Sequence, residues 1–206
     1  MLPANNSVFI NCPFDPEYSH LFQAICFTIH ACGFVPRCAL ERIDSGDSRL
    51  DKICDLIIQC HLGIHDISRT ELSPQSGLPR FNMPFELGLY LGCRRFGGPD
   101  HAGKRVLVMD RTRHRHQVFL SDLSGQDPEV HEDDPQKTIG IVRAWLQNVA
   151  GEQLAGPAKF ATAWRRFLHD LPKLAFERGC SPDELSFEDL NHLILEWFRL
   201  EDAANS

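Results

Sequence analysis

Short runs of continuous apolar residues alternate along the first part of the chain with segments whose apolar positions recur every three or four residues. That alternation of buried-strand and amphipathic-helix signals predicts an α/β fold around a parallel sheet. Val8-Phe9-Ile10 follows a polar start and is closed by Asn11-Cys12-Pro13, as suits a central strand opening onto a loop. From Tyr18 to Cys32 the residues Leu21, Phe22, Ile25, Cys26 and Ile29 keep helical spacing, and Gly33 stands where a helix is commonly closed. Phe34 to Cys38 reads as a second strand. After the polar stretch Glu41 to Ser48, either Asp47 or Ser48 caps a helix with the cleanest period in the sequence, Leu50, Ile53, Cys54, Ile57 and Ile58. Leu62 to His65 predicts a strand that delivers Asp66 at its carboxyl end. Ser68 to Arg80 is a surface loop, Asn82 to Phe96 a helix, Val106 to Met109 a further strand, and Gln117 to Leu120 a candidate strand.

The remainder is helical in pattern. Gln136 to Val149 places Ile139, Val142, Trp145, Leu146 and Val149 on one face, and Gly151 to Pro157 works as a linker. Ala158 to Arg178, with a break expected at Pro172, and Ser186 to Asp202 follow. These helices carry all three tryptophans, Trp145, Trp164 and Trp197. The expected division is an α/β domain over 1–134 and a helical extension over 135–206, which packs on the domain or forms an interface. The expected fold is a flavodoxin-like three-layer sandwich with a parallel sheet of about five strands joined by right-handed crossovers.

At 206 residues, 43% hydrophobic and 24% charged, the chain has the make-up of an ordinary globular protein with one good-sized core. A formal charge of -7 disfavours broad nucleic-acid binding, leaving only local basic patches at Arg94, Arg95 and from Arg111 to His116. No apolar run reaches the roughly 20 residues of a membrane span, and MLPANNSVF lacks a signal-peptide pattern, so the expectation is a cytoplasmic protein with no membrane partner. None of the eight cysteines forms a C-x-x-C pair; they read as small hydrophobes in a reducing compartment, and no metal site is expected. His114, His116, Asp122, Asp127 and His131 could each ligate a metal, but their spacing fits no metal pattern. No cofactor is expected.

In an open parallel sheet, ligands bind beyond the carboxyl ends of the strands, near the point where the strand order reverses. The loops expected there supply Asn11, Pro13, Phe14 and Asp15, then Arg37 and Glu41, then Asp66 and Ser68, then Asp110 and Arg111. Glu86 stands out as an acid near a helix start among Met83, Phe85, Leu87, Leu89 and Tyr90. An acid in a first helical turn is favoured by the helix dipole, with Asn82 as cap and Pro84 just inside. The alternative is chemical: Glu86 under the sugar of a bound nucleoside or dinucleotide, stabilising or attacking the oxocarbenium-like centre formed as an N-glycosidic bond breaks. Arg37, Arg80 or the turn Ser45-Gly46 would meet phosphates, and Asp122 or Asp127 ribose hydroxyls. Cys12 is weighed both as a nucleophile and as a core residue.

The succession FINCPF, CDLIIQCHLGIHDIS and NMPFELGLYLG resembles the nucleoside 2-deoxyribosyltransferase and TIR superfamily, over about Val8 to Asp110. Cys12-Pro13-Phe14, Asp66 and Glu86-Leu87-Gly88 match, respectively, that family's first-strand turn, the aspartate ending its third strand, and its glutamate-bearing helix. The resemblance implies Glu86 as the catalytic carboxylate, Asp66 as substrate-binding, and Asn11, Pro13, Phe14 and Asn82 along the pocket. Arg80-Phe81-Asn82-Met83 stands where the deoxyribosyltransferases commonly carry a small Gly-Thr pair, a departure that bears on substrate class. For TIR enzymes the implied activity is hydrolysis of NAD, as substrate, to nicotinamide and ADP-ribose in bacterial antiviral defence. Deoxyribosyl transfer or hydrolysis on nucleosides or nucleotides, and a non-enzymatic nucleotide-binding or scaffold role, are the alternatives. Self-association into a homo-oligomer through the Trp-bearing helices, and activation by a protein or nucleotide signal, complete the expectations.

Overall fold

The computed structural model describes residues 6–41, 46, 48–72, 77–123, 127–151 and 153–204. Five parallel strands, β1 (Ser7–Asn11), β2 (Val35–Arg37), β3 (Leu62–Asp66), β4 (Arg105–Asp110) and β5 (Glu129–Val130), lie in the order β2-β1-β3-β4-β5. This is the flavodoxin-like order, and it reverses between β1 and β3. Helices α1 (Ser19–Ala31) and α6 (Pro135–Ala150) cover one face over Val8, Ile10, Ile64, Leu107 and Met109. On the other face α2 (Arg49–Gln59) and α3 (Asn82–Phe96), the latter followed by the single turn α4 (Pro99–Ala102), enclose Phe9 with Ile53, Leu56, Ile57 and Tyr90. The strict alternation of neighbours along β1 and β3 is what divides the side chains between the two faces.

α6 is part of the three-layer unit, so the added portion is α7 (Pro157–Glu177) and α8 (Phe187–Ala204), which pack on α1. Phe27 of α1 meets Trp164, Phe167, Trp197 and Phe198 with ring centroids 5.2–5.8 Å apart. Sandwiched between sheet and extension, α1 buries Ala24, Phe27 and Thr28 as well as the stripe Leu21, Phe22, Ile25, Cys26 and Ile29. One continuous apolar cluster runs from the sheet through α1 and α6 to α7 and α8.

Local chemistry sets the helix ends. Ser48 caps α2 by accepting from Asp51 N at 3.2 Å, while Asp47, the other candidate, lies outside the described residues. At α8, Ser186 Oγ accepts from Asp189 N at 3.1 Å and Asp189 Oδ2 accepts from Ser186 N at 3.1 Å, a reciprocal capping box. Asn82 is the first residue of α3 rather than its cap; Phe81 holds the cap position.

Two further expectations are corrected. Gln117 to Leu120 is not a strand: residues His116–Phe119 form the short helix α5, and the fifth strand is Glu129–Val130. A run of three apolar residues, Val118 to Leu120, carries no period of its own. Here Val118 is 89% exposed while Phe119 and Leu120 pack toward Leu87 and Val108, a one-sided burial that suits a helical turn. Pro172 does not break α7, which runs through it with Leu171, Leu174 and Ala175 buried around it. Burial of that face outweighs the lost backbone hydrogen bond.

Gly63 is required by close approach. A Cβ there would lie 2.8 Å from Tyr90 Cε2 and Cζ and 2.9 Å from His65 Nε2. Nearby, the buried Lys104 donates to Cys60 O at 2.7 Å and to Ile57 O, satisfying carbonyls at the carboxyl end of α2.

Candidate functional site

The site is built where the strand order reverses. Asn11 and His65 are register partners on β1 and β3, and Asn11 Nδ2 lies 3.0 Å from His65 Nδ1. The same amide nitrogen donates to Met83 O at 3.0 Å, fastening the first turn of α3 to the end of β1. Because Nδ1 of His65 accepts, its proton is on Nε2, which has no hydrogen-bond partner and lies alongside the Tyr90 ring, centroids 4.9 Å apart. Burial pushes the His65 imidazole down to about 3, so it stays neutral.

Glu86 follows Met83 by nearly one helical turn. Its side chain is buried, with the residue only 6% exposed, and among the described residues no hydrogen bond reaches the carboxylate. Burial pushes its pKa up to about 7, against which the Arg49 guanidinium at the start of α2 pulls down. A carboxyl group balanced between acid and carboxylate at neutral pH, without a hydrogen-bond partner among the described residues, can serve a proton transfer or face a developing positive charge. A dipole role alone would not bury it.

Asp66 has a different setting. It points to the α1 and α6 side of the sheet, whereas His65, its neighbour on β3, points to α3. Asp66 Oδ2 accepts from Tyr18 Oη at 2.7 Å and lies 2.9 Å from His131 Nε2 at a poor angle for a linear hydrogen bond; Oδ1 accepts from Ser68 N at 2.8 Å and from Ser68 Oγ. Burial would raise its pKa, but the His131, Ser68 and Tyr18 contacts outweigh that and hold it below the ordinary range. Asp66 is fully buried, so its oxygens bind together the loops after β1, β3 and β5. Asp133 N donates to His131 Nδ1 at 3.0 Å, which places the His131 proton on Nε2, toward Asp66.

The loops after β3 and β4 are joined by a second network. Arg115 Nη2 donates to Asp110 Oδ1 at 2.7 Å and to Ile67 O at 2.8 Å, and Nη1 to Thr70 Oγ1 at 3.0 Å and Glu71 Oε1 at 3.1 Å. Arg111 also pairs with Glu71.

The remaining expected residues are dispersed. Arg37 is engaged by Glu41, 2.7 Å from Nε to Oε2, and by Gln59 at 3.3 Å. Arg80, its side chain 63% exposed, stands 3.7 Å from Asp15. Asn82, Asp122 and Asp127 are exposed, while Pro13 and Phe14 line a cavity of about 470 Å³ beyond β1. Ser45 of the candidate phosphate turn lies outside the described residues. Cys12 is fully buried, and burial first, then Asp66, Cys38, Cys26 and Glu86, pushes its thiol well up, away from the thiolate a nucleophile needs. The sequence pattern marks Tyr18 only as the start of a helix, Arg115 only within the basic patch from Arg111 to His116, and His131 only as a candidate metal ligand or as the neighbour of a polar site wall. Their partners are far along the chain, so no local spacing marks them.

Comparison of the chain with family models, with curated proteins and with solved structures gave no match.

Proposed function

We propose that the protein cleaves the N-glycosidic bond of a nucleotide, hydrolysing NAD to nicotinamide and ADP-ribose as an effector of antiviral defence. The observation that carries this reading is Glu86: a buried carboxyl group with no hydrogen bond among the described residues, held near 7, beside the point where the strand order reverses. In the reaction the bond from the ribose anomeric carbon to the pyridinium nitrogen breaks, and its electron pair leaves with nicotinamide. The Glu86 carboxylate stabilises the positive charge left on the sugar; water adds to that carbon and its proton is lost to Glu86 or solvent. The Asn11 bridge to Met83 positions the helix that carries the carboxylate. Asp66 serves as the tie between loops rather than as a sugar contact.

The test is chromatography of NAD incubated with the purified chain at high concentration, beside Glu86→Gln and a parallel set of deoxynucleosides. Release of nicotinamide by the parent and not by the variant is the expected result. A freed nucleobase with NAD intact would assign the carboxylate to deoxyribosyl chemistry instead. Saturable binding of NAD without turnover would favour a binding module.

A further inference from the structure

The cavity beyond the carboxyl end of β1, about 470 Å³, is walled by the loop Pro13 to Pro16, by α1 and by the start of α8. Its volume is that of a small-molecule site. Three rings run through its wall: Phe14 and Phe22 with centroids 5.4 Å apart, and Phe22 and Phe187 at 5.9 Å. Among the described residues the charged groups in the lining are Asp15 and Asp183, both negative, and none of those residues that line it is a lysine, arginine or histidine. Asp15 is partly compensated, accepting from Tyr18 N at 3.1 Å with Arg80 at 3.7 Å. Asp183 is exposed at the rim, and neither it nor the half-buried amide of Gln23 has a hydrogen-bond or ion-pair partner among the described residues.

These features select by chemistry. Aromatic faces and edges hold flat rings and are attracted to cations, whereas carboxylates without lining cations repel phosphates and carboxylates. The uncommitted amide of Gln23 offers one acceptor and two donors to a polar ring substituent. We propose that this cavity binds a flat aromatic ligand carrying positive charge or amine donors and rejects anionic ones. Glu86 is not in the lining, and the proposal does not rest on glycosidic cleavage. The extension thereby gains a role beyond covering α1, since Phe187 of α8 and Asp183 of the turn before it line the cavity together with the loop after β1.

The experiment is a titration of the isotope-labelled full chain, followed by amide chemical shifts, with 1-methylquinolinium and with the similarly sized anion 1-naphthoate. Saturable shifts centred on Phe14, Gln23 and Phe187 with the cation, and none with the anion, are expected. Asp183→Asn should weaken the cation by about threefold to fivefold. Gln23→Trp, which fills the cavity, should abolish binding while the thermal midpoint stays near that of the parent. Absence of saturable shifts with the cation, equal binding of the two probes, shifts centred elsewhere, or undiminished binding by folded Gln23→Trp would overturn the assignment.

Discussion

Asn11 Nδ2 donates to the main-chain oxygen of Met83 at 3.0 Å, a bond that spans 72 residues of sequence and sets where α3 begins relative to β1. Its loss would leave Met83 O and His65 Nδ1 without their donor in a buried place. Asn11→Leu is expected to cost about 2 kcal/mol, lowering Tm by roughly 4–8 °C in a chain of this size. Calorimetry checks the first number. If Glu86 acts as proposed, nicotinamide release should fall further than the loss of folded protein accounts for.

Glu86 makes stability depend on pH in a definite direction. Its folded pKa of about 7 lies above the ordinary glutamate value, so the folded state holds the proton more tightly than the unfolded chain. The associated stabilisation is full below the unfolded pKa and is lost as pH rises through about 7. Relative to the parent, Glu86→Gln should therefore gain about 1–3 kcal/mol at pH 8 and almost nothing at pH 4.5. Denaturant midpoints of both proteins across that range measure the difference; equal profiles would mean that the carboxyl is solvated.

Asp66 has the opposite sign. Its folded pKa is held down by His131, Ser68 and Tyr18 against the opposing effect of burial, so its stabilisation is present above the unfolded pKa and disappears as acid titrates the folded group. Asp66→Ala leaves Tyr18 Oη, Ser68 N and Ser68 Oγ without their acceptor and His131 Nε2 without the carboxylate it faces, and should cost about 3–5 kcal/mol at pH 7. Urea titration at pH 7 is the check. A cost below about 1 kcal/mol would mean that Asp66 does not bind the loops together.

The extension is integral to the core through Phe27. Truncating that ring removes contacts to Trp164, Phe167, Trp197 and Phe198 at once. Phe27→Ala is expected to destabilise by about 3–5 kcal/mol, with tryptophan fluorescence and far-ultraviolet dichroism lost in a single transition. Two separated transitions would show that α7 and α8 unfold independently of the sheet.

The sequence by itself determined the order of the strands and long helices from Val8 to Met109, because hydrophobic period is a local property that burial on one or two faces imposes directly, while the single turn Pro99–Ala102 is too short to show one. It also singled out Glu86 as an acid among apolar residues, and the structure buries that residue. Only the tertiary structure decided which face each strand residue serves. Asp66 and His65 are adjacent in sequence, yet one is consumed by Tyr18 and His131 and the other by Asn11, because successive side chains on a strand point to opposite sides. The same holds for Pro172, whose local preference to end a helix yields to the buried face of α7, and for Gln117 to Leu120, whose few apolar residues take their conformation from Leu87 and Val108. Local pattern fixes what a segment can bury; the partners that arrive from distant segments fix what its polar groups are left free to do.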